Sequence, residues 1–575
     1  MMDALHTLEA VLNNAEDDDI SDFEDIEPEQ VSGSEGEDHD ETDEEREEFV
    51  IPRRKKKKRL LNSVDDCLDE TKFDPIDLVT VHTKKPDIPY SNMVLVGNMA
   101  EPKKPDPIYW SVDAPDGRGS QRGCDVVRQP SGFMHHTKEL KTIREFFDCM
   151  ISPGIIQIMI ERTSANMKEF YDKLPDQAKN NNKNAFLNPP STDVVEFHAF
   201  IGLCIMRGLH GQGMHSLNSL WSEFGHPIYS GTMSRRRFQF LIVCLAFEQK
   251  SVTVENWPYD KAASIRTVFE LWNDNIGQVR HPSDWLTIDE SMPPMRHMTS
   301  VKTYNPRKPS RYGATQKSLN DALYPYTYRV NIYAGKPQRE RAERYYYIQG
   351  IDNYVIDLVK GLSKFTDLRG KNITMDRLYG GIPLAQWLLS RDISTIMIMK
   401  TGRRGIPKEL LDVKDREVHS KTMHYELTEK DLALCTYTTL PKSGSKKNVV
   451  VLTTCRPLRG QTKDDKAKPS VYKLYDFTKV GTDIMDQKVE KFSAKFHTRT
   501  WGKVIVSFIL DTSRVNAITC HCLATGKDVH RFDPHNTIYD LAMSFLKPYL
   551  VAKNLVGLGS KVLAKYHFVM GRTLV

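Results

Sequence analysis

Four aspartates stand where predicted secondary-structure elements begin or end. Asp289 and Asp376 each close a short β-rich run, and Asp483 opens a predicted helix on which Asp486 lies three residues further along the same face. Hard cations such as Mg²⁺ take oxygen ligands, and two-metal phosphodiester chemistry needs carboxylates that converge from separate elements. Two strand ends and one helix start could supply such a site. Each acid taken singly is also explained by turn formation or by the helix dipole, so spacing alone leaves both interpretations open.

The elements that must position these acids change in character along the chain. Helical spacing of apolar residues predicts buried helices over 194–207 and 235–247. From residue 285 onward, short β-rich runs alternate with helical patterns, which is typical of an α/β sheet. The predicted strands are 285–288, 326–333, 345–349, 372–375 and 394–399, followed by a second group around 421–438 and 448–454. The predicted helices of this part are 354–365, 382–389, 483–495 and 503–522. Asp289 and Asp376 therefore fall at the carboxyl ends of strands, the edge at which open α/β sheets hold ligands.

The net charge of the chain is the sum of two opposed parts. The 575 residues carry a formal charge of +4, but residues 16–50 hold nineteen Asp and Glu against one Arg. The first 59 residues sum to −13, which leaves +17 for residues 60–575. Such an acidic block cannot bury enough apolar surface to fold, so we expect a disordered acidic arm. The remaining body is basic, and a basic surface of this size suits a DNA partner.

A run of seven basic residues follows the acidic block. It matches either a nuclear-import signal or a nucleic-acid patch, and a solvated charge run without a partner is the alternative. We expect nuclear localisation on this basis. The run comprises Arg53, Arg54, Lys55, Lys56, Lys57, Lys58 and Arg59.

A second basic tract comes directly after Asp289. Between residues 296 and 317 there are six Lys or Arg and no acid, with Tyr304 and Tyr312 interleaved. Such a tract could hold a DNA backbone beside a metal site, although a solvated loop would have the same composition. The predicted DNA-binding residues are Lys302, Arg307, Lys308, Arg311 and Lys317.

Other classes of protein fit the sequence poorly. Nine scattered cysteines give no disulfide framework and indicate a reducing compartment. There is no secretory leader and no run of eighteen apolar residues, so we expect neither secretion nor membrane spanning. Cys520 and Cys522 would point about 200° apart on a helix, and we expect no zinc. Phosphate-loop, serine-hydrolase and zinc-protease motifs are also missing.

Three blocks of the sequence resemble the catalytic blocks of piggyBac-type transposases. The first is 286–292, the second is 372–376 followed by 381–385, and the third is 481–487. Supporting stretches at 200–203, 233–238, 304–309, 405–408 and 499–501 are similar in order and spacing. The resemblance covers about residues 140–550 and is specific because so many short motifs occur together.

This resemblance implies a fold, an activity and a set of ligands. The fold would be an RNase H-like core, interrupted between its second and third acids by a β-rich insertion and flanked by helices that bind DNA and dimerise. The activity would be cut-and-paste DNA transposition with Mg²⁺ or Mn²⁺ and a TTAA-type target. Asp289, Asp376 and Asp483 would be the metal ligands, with Asp486 as a nearby fourth acid.

Two departures from the family pattern lead to two hypotheses. Arg377 stands where relatives commonly have Asn, and Leu378-Tyr379 replaces an aromatic pair. Many relatives also end in a Cys-rich zinc module, whereas this sequence has no cysteine after Cys522. The first hypothesis is an active DNA transposase. The second is a domesticated relative that binds DNA in the nucleus without mobilising it.

We predict seven consecutive segments on these grounds. They are the acidic arm 1–71, a Pro-rich linker 72–139, a helical DNA-binding and dimerisation region 140–280, the first part of the core 281–402, the insertion 403–455, the last part of the core 456–525 and a helical tail 526–575.

Overall fold

The computed structural model describes most of the chain from residue 122 onward, together with two short stretches before it. The described residues are 93–96, 108–112, 122–211, 216–295, 299, 301–306, 308, 311–336, 350–414, 416–426, 431–440, 444, 446–455, 468–495, 498 and 500–571. The predicted acidic arm, the basic run 53–59, the predicted strand 345–349 and Arg307 lie outside these residues. None of the described helices combines the length and the apolar character that crossing a bilayer requires.

The first half of the described chain is helical, as the periodicity of its apolar residues predicts. Its helices are α1 (Ile143–Met150), α2 (Pro153–Asp172), α3 (Asp176–Lys179), α4 (Val194–Leu209), α5 (Leu217–Trp221), α6 (Pro227–Thr232), α7 (Arg235–Cys244), α8 (Lys250–Asn256) and α9 (Arg266–Gly277). Helix α4 begins where the Asp193 carboxylate accepts a hydrogen bond from the Glu196 amide, and α7 begins at Ser234 in the same way. A buried ion pair of 2.7 Å between Arg237 and Glu196 joins these two helices.

A ten-stranded mixed sheet is built mainly from the second half of the described chain, with two strands from residues 93–111. Its strands are β1 (Met93–Val96), β2 (Ile108–Ser111), β5 (Trp285–Ser291), β8 (Gln316–Asp321), β9 (Thr327–Ile332), β10 (Asn372–Met375), β11 (Ser394–Ile398), β12 (Lys421–Glu426), β13 (Ala433–Thr439) and β14 (Lys447–Thr453). They are ordered β1-β2-β12-β13-β14-β11-β10-β5-β8-β9. Among the strands of the described residues, the parallel pairs are β5 with β10 and β10 with β11. Two short hairpins complete the strands, namely β3 (Gly132–Phe133) with β4 (Arg280–His281) and β6 (Lys302–Tyr304) with β7 (Tyr312–Ala314).

The predicted insertion and part of the predicted linker belong to this sheet. Strand β14 pairs with β11 of the core, and β12 pairs with β2 through Tyr425 and Ser111. The strands of the segment 403–455 therefore extend the central sheet instead of forming a sheet of their own. Residues 93–96 and 108–111 of the predicted linker form paired strands at one edge of the ten-stranded sheet.

Helices cover the sheet and join it to the first half. They are α10 (Ile351–Ser363), α11 (Ile382–Leu389), α12 (Ser470–Thr478), α13 (Gly481–Lys491), α14 (Trp501–Ala524), α15 (His535–Ala552) and α16 (Ser560–Val569). Helix α14 is buried along most of its length and contacts both halves. Its Ser513 accepts a 2.9 Å hydrogen bond from the Trp272 indole of α9, and its Asn516 exchanges two hydrogen bonds with the Thr327 backbone of β9.

Candidate active site

Asp289 and Asp376 lie side by side on the central sheet. Ile288 of β5 is in register with Met375 of β10, so Asp289, inside β5, lies beside Asp376, which directly follows β10. Neighbouring strands lie about 4.8 Å apart, so this register alone brings the two carboxyl groups to one edge of the sheet. The Tyr475 hydroxyl of α12 donates a 3.4 Å hydrogen bond to Asp376 Oδ1. The parallel pair of strands thus brings together the first two predicted acids.

This pair stands in a crowded and largely desolvated group of acids. Burial, together with the neighbouring charge of Glu290, raises the pKa of Asp289 to about 8. The fully buried phenol of Tyr379 lies among Glu290, Asp289 and Asp376, and burial raises its pKa well above the usual value of a tyrosine. Buried carboxylates at such close quarters repel one another, and a divalent cation would offset that repulsion. The chemistry of this donor set therefore fits a hard cation.

Helix α13 carries the other two acids, and its first residues pack directly on β5 and β8. A Cβ atom on Gly481 would lie 2.6 Å from the Asp321 carbonyl oxygen and 2.8 Å from Thr287 Cγ2, so only glycine allows this approach. Thr482 Oγ1 accepts a 2.7 Å hydrogen bond from the Asn320 amide of β8. One turn further, the Ser291 hydroxyl donates a 2.6 Å hydrogen bond to Asp486 Oδ1. These contacts hold the start of α13 against the strand that carries Asp289.

Asp483 and Asp486 differ in their surroundings. The side chain of Asp483 is exposed, whereas burial raises the pKa of Asp486 to about 6 against the opposing effect of the Ser291 hydrogen bond. Both line a cavity of about 360 Å³ between α13, α14 and the segment after β5. Lys308 lines the same cavity and lies close enough to Asp289 and Asp486 for its charge to favour their ionised forms.

The four predicted acids are thus arranged as two pairs, and Lys308 lies near one acid of each, Asp289 and Asp486. Asp289 and Asp376 form the pair on the sheet, and Asp483 and Asp486 form the pair on the helix. Among the described residues, no three His, Cys, Asp or Glu side chains form a group arranged to hold one metal ion.

The predicted basic residues divide between the surface and the interior. Lys302 and Lys308 are partly exposed, Arg311 is exposed, and all three lie on or within the β6–β7 hairpin. Lys317 is different, because it belongs to β8 and is only 6% exposed. Its ammonium group lies 4.0 Å from the centre of the Tyr354 ring, and burial lowers its pKa to about 8. The prediction that Lys317 is part of the exposed basic surface is therefore wrong.

Several residues of the site carried no usable signal in the sequence. Glu290 and Ser291 lie in the block 286–292 and Tyr379 was noted as a departure, but the sequence assigned no role to them or to Tyr475, because only the fold brings them against the predicted acids. The Lys308 ammonium donates a 2.8 Å hydrogen bond to the Glu290 carbonyl oxygen, which lies 18 positions earlier in the chain.

Comparisons with known proteins agree with the architecture. The family model described as Transposase IS4 matches residues 142–518. The comparison with curated protein sequences gives no match. Among solved structures, the cryo-EM structure of a piggyBac transposase synaptic complex with hairpin DNA is similar, with a TM-score of 0.66. The alignment has 22% sequence identity and covers 76% of this chain and 87% of that chain, so the two share a fold.

Proposed function

Because the chain belongs to the Transposase IS4 family, we propose that it is a piggyBac-like, metal-dependent DNA transposase that cuts DNA strands and transfers them to a target. The observation that carries this proposal is the approach of two pairs of acids from separate elements. Strand register holds Asp289 beside Asp376, and close packing of α13 on β5 brings Asp483 and Asp486 to the same side of the sheet.

We infer that strands β9, β8, β5, β10 and β11 form an RNase H-like core. The support for this inference is their order in the sheet and the parallel direction of β5, β10 and β11, while β8 and β9 run antiparallel. In this interpretation the first two acids belong to the central strands of the core, and the third belongs to a helix that follows the β-rich segment.

Each residue of the site then has a defined task. Asp289, Asp376 and Asp483, with Asp486 nearby, would hold Mg²⁺ or Mn²⁺, which when bound activates water or a 3′ hydroxyl for in-line attack on phosphorus and stabilises the leaving oxygen. Tyr475 orients the Asp376 carboxyl group, and Ser291 orients that of Asp486. Burial of the closely spaced acids lowers the stability of the folded core, and bound cations would offset this loss.

The basic residues of the hairpin supply the contacts to double-stranded DNA. Lys302, Lys308 and Arg311 offer three cations beside the acids, and contacts of this kind neutralise phosphates without reading sequence. We further propose, from the resemblance, that the DNA comprises transposon ends and a TTAA-type target, that the enzyme acts as a homodimer and that it works in the nucleus.

A domesticated DNA-binding protein without transposition activity is the second candidate. Arg377 favours it, because a cation placed directly after Asp376 is able to pair with a carboxylate that a metal ion would otherwise use. Both candidates bind DNA, so only cleavage separates them.

The deciding experiment is a strand-cleavage assay. Purified protein is incubated with Mg²⁺ or Mn²⁺ and a DNA that carries its own flanking inverted repeats, and nicked and excised products are resolved on a gel. We expect cleavage by the wild type, none by Asp289→Asn, and wild-type cleavage by Asp176→Asn, whose carboxylate is 91% exposed and belongs to α3 of the helical half. If neither the wild type nor Asp289→Asn cleaves DNA while both still bind it, the second candidate is favoured.

A further inference from the structure

A second cavity lies on the other side of α13 from the candidate active site. It has a volume of about 160 Å³ and is enclosed by the end of α13, the middle of α14 and the segment 529–534. A single buried water needs only about 15 Å³, so this cavity has room for a polyatomic ion. It shares no lining residue with the cavity of the active site. Glu490 lines that first cavity, whereas Lys488 and Lys491 of the same turn line the second, so the two are separate sites.

The ionisable side chains that line the second cavity are all basic. Among the described residues, they are Lys488, Lys491, Arg514 and His530, and no acid lines it. Two of the cations lie near one aromatic ring, because the Lys491 ammonium is 5.2 Å and the Arg514 guanidinium 5.9 Å from the centre of the Phe492 ring. Like charges gathered around one cavity repel one another, and a bound anion would offset that repulsion.

Lys488 is partly buried without an acidic partner among the described residues. Burial lowers the pKa of its ammonium group, and the nearby charge of Lys491 lowers this pKa further. The dipole of α13 favours a lysine in the last turn, but a fully hydrated lysine would benefit in the same way. The dipole therefore does not explain why the Lys488 ammonium gives up part of its hydration. An anion in the cavity would replace the lost water.

Arg514 adds a charge that is 2% exposed. Its Nη2 atom donates hydrogen bonds of 3.4 Å and 3.2 Å to the carbonyl oxygens of Lys488 and Val489. Its nearest carboxylate, that of Asp511, is 3.7 Å away and already accepts a 2.6 Å hydrogen bond from Ser493. The Arg514 Nε atom has no hydrogen-bond partner among the described residues. One shared carboxylate thus stands against the charges of Arg514 and the two lysines.

We propose that this cavity binds a phosphate group through Lys488, Lys491 and Arg514. Phosphate oxygens are strong acceptors for ammonium and guanidinium donors, and their charge matches the unbalanced cations. A free phosphate ion and a backbone phosphate of DNA share this chemistry. Binding of the free ion goes beyond the proposed function, whereas binding of a DNA phosphate rests on it. In either case the phosphate would fix the last turn of α13, the helix whose first turn carries Asp483.

Isothermal titration calorimetry of the full chain with inorganic phosphate tests the site. The titrations contain no divalent cations, so that the acids of the active site cannot bind phosphate through a metal, and chloride keeps the ionic strength constant. The variants Lys488→Met and Lys491→Met each remove one cation but keep a long side chain. Lys547→Met removes an exposed cation of α15 and is the matched control.

We expect the wild type to bind phosphate saturably, with one ion in each chain. Lys488→Met and Lys491→Met should each weaken this binding by about 10- to 100-fold, which is the effect of one charge-assisted hydrogen bond. Lys547→Met should bind phosphate as the wild type does.

Titrations repeated with saturating blunt duplex DNA distinguish the two sources of phosphate. If a DNA phosphate occupies the cavity, DNA weakens the binding of inorganic phosphate. Lys491→Met then also reduces the magnitude of the slope of log DNA affinity against log salt concentration by about 0.9. If the occupant is a free phosphate ion, it binds equally well in the presence of DNA, and Lys491→Met binds DNA as the wild type does.

Two results would overturn the phosphate site. One is a phosphate affinity that Lys488→Met and Lys491→Met both retain. The other is a wild type without saturable phosphate binding, together with a Lys491→Met variant whose salt slope equals that of the wild type. Lys491 is exposed, so this second result decides the question even if Lys488→Met does not fold. Failure of the wild type to bind DNA would instead contradict the proposed function, and the titrations with phosphate alone would still stand.

Discussion

Replacement of Gly481 by alanine should disable the site without touching any of its acids. Gly481 is the first residue of α13, two residues before Asp483, and its Cα packs against β5 and the turn after β8. The added Cβ would lie 2.6 Å from the Asp321 carbonyl oxygen, 2.8 Å from Thr287 Cγ2 and 3.0 Å from Ala322 Cα. Two of these three atoms belong to the backbone, so the sheet cannot yield by a side-chain rotation.

The size of the effect follows from these distances. Ordinary contact begins near 3.4 Å, so the start of α13 must move outward by about 0.8 Å. Overpacking of this kind costs about 1–3 kcal/mol of folding free energy. A displacement approaching 1 Å in a catalytic group costs up to about 100-fold in rate, so we expect strand cleavage to slow by about 10- to 100-fold. Affinity for blunt duplex DNA stays unchanged, because the basic hairpin does not touch Gly481.

Gly154→Ala is the matched control. Gly154 also lies in the first turn of a helix, α2, but a Cβ there would meet only Ser152 Oγ, at 3.9 Å. By helix propensity alone, both substitutions should stabilise the protein by up to about 1 kcal/mol. Urea unfolding followed by tryptophan fluorescence and the cleavage assay measure both variants. If Gly481→Ala matches Gly154→Ala in stability and in cleavage rate, close packing of α13 on the sheet does not position Asp483.

Three further predictions concern charge. Lys308→Ala should reduce the magnitude of the slope of log affinity for DNA against log salt concentration by about 0.9. Lys317→Met should leave this slope unchanged, because Lys317 is only 6% exposed. Anisotropy titrations at several salt concentrations measure both slopes. Burial raises the pKa of Asp511 to about 6 from 3.8, so the stability that wild type has relative to Asp511→Asn should fall by about 2 kcal/mol as pH rises from about 4 to 6, and urea unfolding at both pH values detects the change. Replacement of residues 53–59 by alanine should move a tagged protein out of the nucleus in fluorescence microscopy, and unchanged nuclear signal would refute the import function of this run.

Elements with a strong local pattern could be predicted from the sequence. The predicted strand 372–375 and helix 382–389 are confirmed with the same bounds, and helix α4 extends its prediction by two residues. Each has apolar residues at the spacing of its own element, so neighbours in the sequence carry the information. Asp376 directly follows its strand as predicted, but the prediction that Asp289 ends its strand is wrong, because β5 continues to Ser291 and pairs with β8 through Asp289.

Strand β8 shows why other parts could not be predicted. All six of its residues are buried, yet Leu319 is its only large apolar residue, so no hydrophobic alternation marks it as a strand. The buried side chains of Asn320 and Asp321 have hydrogen-bond partners on other elements, whereas the buried Gln316 amide has none among the described residues. Asp321 accepts hydrogen bonds from Ser283 and Tyr328, and Asn320 donates to Thr482 of α13. Composition alone made Lys317 of this strand resemble a surface cation.

The polar residues that prevented the prediction of β8 as a strand also fix the position of α13. An apolar interface between a helix and a sheet tolerates small sliding movements, because the contact energy is not directional. The hydrogen bonds of Asn320 to Thr482 and of Ser291 to Asp486 are directional, and slippage of α13 by one residue would leave their buried groups unsatisfied, at about 1–3 kcal/mol for each. Asp483 lies between these two attachment points on the helix. The third acid therefore owes its position to polar contacts between segments more than 150 residues apart in the chain.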